Sequence, residues 1–164
     1  MFRARPIPHG FVLNDILADY PVGMLTLVIR RSAFNGLTGG CDERLHVTGD
    51  RDLAVKLSLN WEMASIQEPL AWYRIHGENE GPKQRVRQLD EYRFWTKELE
   101  AIPMIRQTPG FSVLMNEYKY MEGLQLIAQR RLFDAFRFVN HLPLGVFKLK
   151  LFALLLRSLA FSPD

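Results

Sequence analysis

The chain has 164 residues, of which 48% are hydrophobic and 12% aromatic, and its net charge is +3. This composition is typical of one globular domain and excludes a disordered chain. The single cysteine, Cys41, excludes an internal disulfide framework and favours a reducing compartment. Residues 1–21 lack the apolar core of a secretory signal. No apolar run reaches the roughly 18 residues that suggest a membrane-spanning helix.

Residues 1–81 are rich in glycine and proline and carry short apolar runs that predict strands. Met24–Ile29 contains β-branched side chains and predicts a buried strand. Leu70–Ile75 predicts a second strand, and Ala64–Ile66 a short third one. The region is therefore expected to be α/β, with a partial sheet whose edge lacks partners.

Two helices are expected within the same region. Arg30–Phe34 predicts a short helix, and the glycines that follow it indicate a loop. Asp50–Leu59 predicts a longer helix, because its leucines stand one turn apart and Thr48 or Asp50 can cap its start.

Helices are expected to dominate from Gln84 onward. Gln84–Leu99 predicts a charged, exposed helix, with Leu89, Tyr92, Trp95 and Leu99 at helical spacing. Val113–Val139 predicts either one long helix or two, with a break near Arg130 in the second case. The sequence thus predicts a boundary near residue 81, with a helical region over 82–164.

The last predicted helix, Val146–Phe161, is apolar on almost every side and is flanked by cations. Its sixteen residues would span roughly 24 Å, which is short of the ~30 Å hydrocarbon core of a bilayer. Two interpretations are equally weighted. The helix lies in a membrane interface, with Lys148, Lys150 and Arg157 among the headgroups, or it is buried against the rest of the protein.

Asp50 stands where a loop meets a predicted helix, and two roles are open for it. A carboxylate there accepts backbone N–H groups and is favoured by the helix dipole, so Asp50 could be a cap. Alternatively, it could act as a general base. Asp52 and Lys56 are four residues apart and are expected to form an ion pair.

His76 follows a predicted strand and precedes a glycine. A histidine in this context is more often a structural hydrogen-bonding group than a ligand. A neutral imidazole there could nevertheless bind a divalent ion or contact a phosphate.

Three motif segments occur in a fixed order: GGCDE at Gly39–Glu43, GDRDL at Gly49–Leu53, and EPLAWYRIHGEN at Glu68–Asn79. Their order and spacing resemble the C-terminal half of a family-2 glycosyltransferase of the GT-A fold. That family has a Gly-Gly-Phe-Asp-Glu-like loop, an acidic pair that opens a helix, and a strand ending in Pro-Leu-x-x-Tyr-Arg-x-His. The resemblance covers about Val22–Gly81, so 1–81 is identified as a partial catalytic domain and 82–164 as a helical extension.

The resemblance implies roles for six ionisable residues of these segments. Asp50 falls on the position of the catalytic base in these inverting enzymes. His76 falls on a position that approaches the metal or the diphosphate. The other matching residues lie at acceptor-side or supporting positions, namely Asp42, Glu43, Asp52 and Arg74.

The family's nucleotide-binding half and its metal-binding Asp-x-Asp lie upstream of the base. No such segment precedes Met24, so the nucleotide-binding residues are unknown and Asp50–Asp52 is the base motif by position. A divalent metal, Mg²⁺ or Mn²⁺, is expected in the complete enzyme. The chain departs from the family pattern at four positions, Cys41, Gly49, Lys56 and Gly81, where the family commonly has Phe, Glu, Arg and Ser.

The resemblance implies an inverting glycosyltransferase, or a fragment of one. It would transfer sugar from a nucleotide-sugar to a glycan or lipid-linked acceptor in cell-surface polysaccharide synthesis. The expected location is cytoplasmic, at the inner face of the membrane, with peripheral contact through residues 146–161. The alternative is a non-catalytic half-domain that binds a membrane or a partner. Nucleic acid is not an expected partner, because the arginines are scattered and no nucleic-acid motif is present.

Overall fold

The computed structural model describes residues 6–74, 76 and 84–160. The chain divides into two compact units, Met1–Leu114 and Met115–Asp164. The described residues form α1 (Leu13–Ala18), α2 (Arg31–Asn35), α3 (Gly49–Ser58), α4 (Arg85–Glu100), α5 (Pro103–Arg106), α6 (Pro109–Ala128), α7 (Leu132–His141) and α8 (Val146–Ala160), with a 3₁₀ turn at Met24–Thr26.

The predicted α/β fold is wrong. Of the described residues 60% are helical, and they form no sheet, so the described part of the chain is all-helical. The described residues contain one isolated antiparallel bridge, between Gly10 and Met63, and neither residue belongs to a predicted strand. Gly10 and Met63 each donate an N–H to the other's carbonyl oxygen at 2.8 Å.

The apolar runs that predicted strands are exposed rather than buried. Met24–Ile29 begins with the 3₁₀ turn, and Val28 is 92% exposed. Leu70–Arg74 has no regular structure, Trp72 is fully exposed, and Ile75 lies outside the described residues. A strand is stable only when a neighbour pairs with its N–H and C=O groups, and these runs have no such neighbour in the described part of the chain. An apolar run does not by itself supply one.

The core of the first unit is built around α4. Its apolar residues at 89, 92, 95 and 99 follow the helical spacing seen in the sequence, but they are buried, so α4 is a core helix rather than the exposed one expected. The middle of α3 is also buried, and α3 contacts α1, a helix that the sequence analysis did not predict. The helices predicted at 30–34, 50–59 and 84–99 are confirmed to within one residue at each end.

Within the second unit, α6 ends and α7 begins at the predicted break. Arg130 has a φ of 57°, a left-handed conformation that commonly terminates helices. Arg131 N–H donates to the Leu126 carbonyl at 3.0 Å, which satisfies one of the last free acceptors of α6. The segment 113–139 therefore contains parts of two helices rather than one.

Helices α7 and α8 pack against each other, burying Ala135, Val139, Leu151 and Leu155. Gly123 of α6 lies against α8, since a Cβ at this position would be 2.6 Å from Leu151 Cδ1. Within the described residues, no helix combines the length and the apolar character needed to cross a bilayer.

The first unit depends on a close approach between α1 and the start of α6. Gly110 N–H donates to Asn14 Oδ1 at 2.9 Å, and a Cβ on Gly110 would overlap the Asn14 carbonyl oxygen. We expect Gly110→Ala to lower the free energy of unfolding by about 1–3 kcal/mol, because backbone atoms would have to move. Urea denaturation checks this. Gly145→Ala is the control, because its Cβ would meet no atom within 4 Å, and an equal loss in both variants would contradict the prediction.

Candidate functional site

An open groove of about 590 Å³ in the first unit brings two of the three motif segments together. Asp50 lines it from the start of α3, and Glu68, Leu70, Ala71 and Tyr73 line it from the later segment. These groups are at least 18 residues apart in the chain. The remaining lining comes from the turn at 23–26 and from two isoleucines, Ile7 and Ile66.

Asp50 is half-buried in the first turn of α3. Its Oδ1 accepts the N–H of Arg51 at 2.7 Å. The residue at the N-cap position is Thr48, whose side chain makes no capping hydrogen bond. The cap predicted for Thr48 or Asp50 is therefore not formed by Thr48, and Asp50 lies inside the helix at a position where its dipole favours a carboxylate.

The N–H groups before α3 are instead bound by a carboxylate from a distant helix. Glu91 of α4 accepts the N–H of His46 at 2.9 Å, of Val47 at 3.0 Å and of Thr48 at 2.8 Å. The Glu91 side chain is 5% exposed, and Arg87 Nε donates to it at 3.2 Å from the preceding turn of α4. Glu91 thus fixes the loop from which α3 and Asp50 begin.

These hydrogen bonds decide the ionisation of Glu91. Burial pushes the pKa of Glu91 upward, but the N–H donors of His46, Thr48 and Val47 outweigh it and leave the pKa below its ordinary value. Glu91 is therefore ionised at neutral pH.

Tyr20 and Arg51 lie next to Asp50, on the side away from the groove. Burial raises the pKa of the Tyr20 hydroxyl, the Asp50 carboxylate raises it further, and Arg51 opposes the rise. Tyr20 is therefore neutral beside Asp50. Arg51 is buried and donates to Tyr92 Oη at 2.7 Å and to the Leu17 carbonyl at 2.8 Å. These hydrogen bonds of the Arg51 guanidinium connect α3 to α4 and to α1.

Asp52, two residues after Asp50, faces the core. Its Oδ1 accepts the indole N–H of Trp95 at 2.9 Å, and Lys56 Nζ lies 2.7 Å from its Oδ2. The predicted Asp52–Lys56 pair is confirmed. Both carboxylate oxygens of Asp52 thus make contacts that stabilise α3 and its packing against α4, whereas Asp50 faces the groove.

Asp42 and Glu43 lie outside the groove. Asp42 is paired with Arg44 at 2.6 Å, and Arg44 also contacts Glu98 of α4 at 2.9 Å. The hydrogen bond from Arg44 lowers the pKa of Asp42 to about 2. Glu43 is exposed. Asp42 thus connects its loop to α4, and neither acid is brought to Asp50 by the groove.

Arg74 and His76 are both exposed and do not line the groove. Their neighbour Tyr73 does line it. The end of the motif, including Asn79 and Gly81, lies outside the described residues. The structure therefore brings Asp50 together with the first part of the later segment rather than with His76.

The described residues contain no group of three or more His, Cys, Asp or Glu side chains that could hold a metal ion. Asp50 and Glu68 are the acids that line the groove. No residues of the described chain are assigned to the expected metal, which stays a prediction for the complete enzyme.

Three residues that organise the site were missed from the sequence, namely Tyr20, Arg51 and Glu91. None of the three carries a sequence signal for its role, since Glu91 follows Asp90 on a helix that the sequence predicts to be charged and exposed. Their roles depend on contacts between α1, α3 and α4, which are distant in sequence.

Comparison with known proteins finds no match: no protein-family model, no curated protein and no solved structure is significantly similar to the chain. The functional interpretation therefore depends on the motif order and on the geometry of the groove.

Glu91→Gln tests the role of this carboxylate. We expect a loss of about 2 kcal/mol in the free energy of unfolding at pH 7, since three N–H groups lose a charged acceptor. Because the folded pKa is lowered, the stabilisation is present above the ordinary value of 4.5 and is lost as the pH falls below it. Denaturation from pH 7 to pH 3 should show the two proteins converging. Glu98→Gln, at an exposed ion pair, is the control, and a difference independent of pH would contradict the prediction.

The two acids of the Asp-x-Asp motif should differ in their effect on stability. Asp52→Asn removes the charge from a buried ion pair and should cost about 2 kcal/mol, whereas Asp50→Asn should cost less than about 0.5 kcal/mol. Thermal and urea denaturation of the two variants measure this. A large loss for Asp50→Asn would instead assign Asp50 to helix capping.

Proposed function

We propose that the chain is part of an inverting glycosyltransferase in which Asp50 is the general base. The enzyme transfers a sugar from a nucleotide-sugar donor to a glycan or lipid-linked acceptor in polysaccharide synthesis. The proposal takes no support from a shared fold, because the described residues are helical.

One observation carries the proposal. The groove joins Asp50 to the segment that begins at Glu68, and these are the segments that the motif order pairs. Asp15 is also an acid in the first turn of a helix, α1, but it does not line this groove. Asp50 thus combines a carboxylate, an open cleft and the expected motif neighbour.

The chemistry asked of Asp50 is a single proton transfer. Its carboxylate takes the proton of an acceptor hydroxyl while that oxygen forms a bond to the anomeric carbon. The bond from that carbon to the nucleotide diphosphate breaks on the opposite face, so the configuration is inverted. A positioned general base of this kind contributes about 10²–10⁴-fold to the rate.

The surroundings of Asp50 suit this role. Glu91 binds the N–H groups that precede α3, so the Asp50 carboxylate is not needed to bind them. Tyr20 keeps its proton, so it adds no negative charge beside the Asp50 carboxylate. Asp52 keeps α3 in place through Trp95 and Lys56, which is the supporting role proposed for it.

The remaining roles extend the proposal to groups outside the groove. Arg74 and His76 would approach the diphosphate of the donor, and Asp42 and Glu43 would lie on the acceptor side. The nucleotide-binding residues and the divalent metal belong to the complete enzyme, and the expected location is the cytoplasmic face of the membrane. No catalytic step is assigned to these groups.

The first test is the intact mass of the protein isolated from its source cells. A mass above 19.1 kDa is expected if a nucleotide-binding segment belongs to the same chain. A mass of 19.1 kDa would require a separate nucleotide-binding chain, and failure to find one by co-purification would favour the alternative of a non-catalytic half-domain.

The second test uses that native protein and radiolabelled nucleotide-sugars with a lipid extract of the source cells. Asp50→Asn should lower the rate of transfer by about 10²–10⁴-fold, because the base is lost while the fold is retained. Asp15→Asn, in the exposed first turn of α1, is the matched control and should keep full activity. Retained transfer in the folded Asp50→Asn variant would overturn the proposal.

A further inference from the structure

Helix α8 presents an apolar stripe to solvent. Leu149, Phe152, Leu156 and Leu159 are at positions i, i+3, i+7 and i+10, which places them on one face of a helix. All four are exposed, with Leu149 at 66% and Leu156 at 52%. Four exposed apolar side chains on one helix face differ from the isolated exposed residues that are normal on a surface.

A different face of α8 is already occupied within the second unit. Leu151 and Leu155 are buried, and Leu151 lies against Gly123. Lys148 Nζ donates to the Asn140 and Leu142 carbonyls at 3.0 and 2.8 Å, which ties α8 to the end of α7. The contacts of Leu151, Leu155 and Lys148 thus fix the orientation of α8, and they leave the apolar stripe facing solvent.

Helix α7 adds a second exposed apolar face. Phe133 and Phe136 are three residues apart and are 72% and 47% exposed. The Arg137 guanidinium lies 5.8 Å from the centre of the Phe133 ring. An exposed aromatic residue in contact with a cation is typical of the boundary between lipid and water.

Positive charge is concentrated in α7, α8 and the two arginines that precede α7. Residues 130–160 contain six Lys or Arg and one acid, Asp134, a charge of +5. The chain as a whole carries +3, so the rest carries −2. Asp134 is paired with Arg131 at 2.7 Å, and α8 has no acidic residue.

We infer that α7 and α8 form a surface that binds an anionic lipid membrane. The stripe inserts at the level of the headgroups, and Lys150 and Arg157 contact the lipid phosphates. A helix with apolar and cationic residues and no acid is suited to this interface, where lipid charge and apolar burial act together. The inference does not depend on the proposed function.

The charges also distinguish a membrane from a second copy of the chain. Pairing two copies through α8 would bring Lys150 and Arg157 of one copy near the same cations of the other, and no acid of α8 would compensate. An anionic bilayer supplies both the apolar medium and the opposite charge.

Co-sedimentation of the full chain with vesicles tests the inference. We expect binding to phosphatidylcholine vesicles that contain phosphatidylglycerol, little binding to pure phosphatidylcholine, and release as salt is raised. The double variant Lys150→Ala/Arg157→Ala should bind roughly thirtyfold more weakly, from about 1 kcal/mol per cation near such a surface. These two side chains are exposed, so the variant should fold normally.

A second variant tests the apolar stripe. Leu149→Glu/Leu156→Glu should abolish vesicle binding, whereas Val86→Glu, at a 56% exposed position of α4, should leave it unchanged. Circular dichroism confirms that each variant is folded. Equal binding to neutral and anionic vesicles, or full binding by the folded stripe variant, would overturn the inference. The inference would also be overturned if the chain bound no vesicles and instead formed a dimer that the Leu149→Glu/Leu156→Glu variant failed to form.

Discussion

The position of the candidate base depends on a buried carboxylate that does not take part in the proposed reaction. Glu91 reaches from α4 to the loop before α3 and accepts three successive backbone N–H groups. Burying such a charge alone would cost several kcal/mol, and these donors, with Arg87, offset the cost. Because Glu91 performs the capping function from outside the helix, Asp50 can face the groove.

Much of the helical structure could be predicted from the sequence, because the period of apolar residues reports which face a helix buries. This holds for α4, where the spacing of Leu89 and Trp95 predicts the helix, although the expectation that the helix is exposed is wrong because both side chains are buried. It also holds for the Asp52–Lys56 pair, whose spacing alone places the two groups together. The sequence leaves open one long helix or two over 113–139, and Arg130 and Arg131 interrupt the apolar pattern where the structure places the break.

The strands could not be predicted correctly, because an apolar run specifies burial only if another element covers it. Met24–Ile29 has the composition of a buried strand, yet Val28 is 92% exposed. Strand pairing requires hydrogen bonds between two segments, whereas the composition of one segment does not show whether a second segment lies beside it. Tyr20 and Arg51 could not be identified from the sequence for the same reason, because their roles in the site come from contacts across α1, α3 and α4.

Asp50 and Asp52 show why residue type and motif alone do not assign a role. The two carboxylates are two residues apart on one helix, so they point in different directions. Asp52 meets an indole N–H and an ammonium in the core, where a charge must be paired, and its contribution is therefore structural. Asp50 meets a neutral hydroxyl and an open groove, where a carboxylate keeps the capacity to accept a proton. The motif placed two acids at the start of α3, and the packing of α4 against that helix decides which of them is available for chemistry.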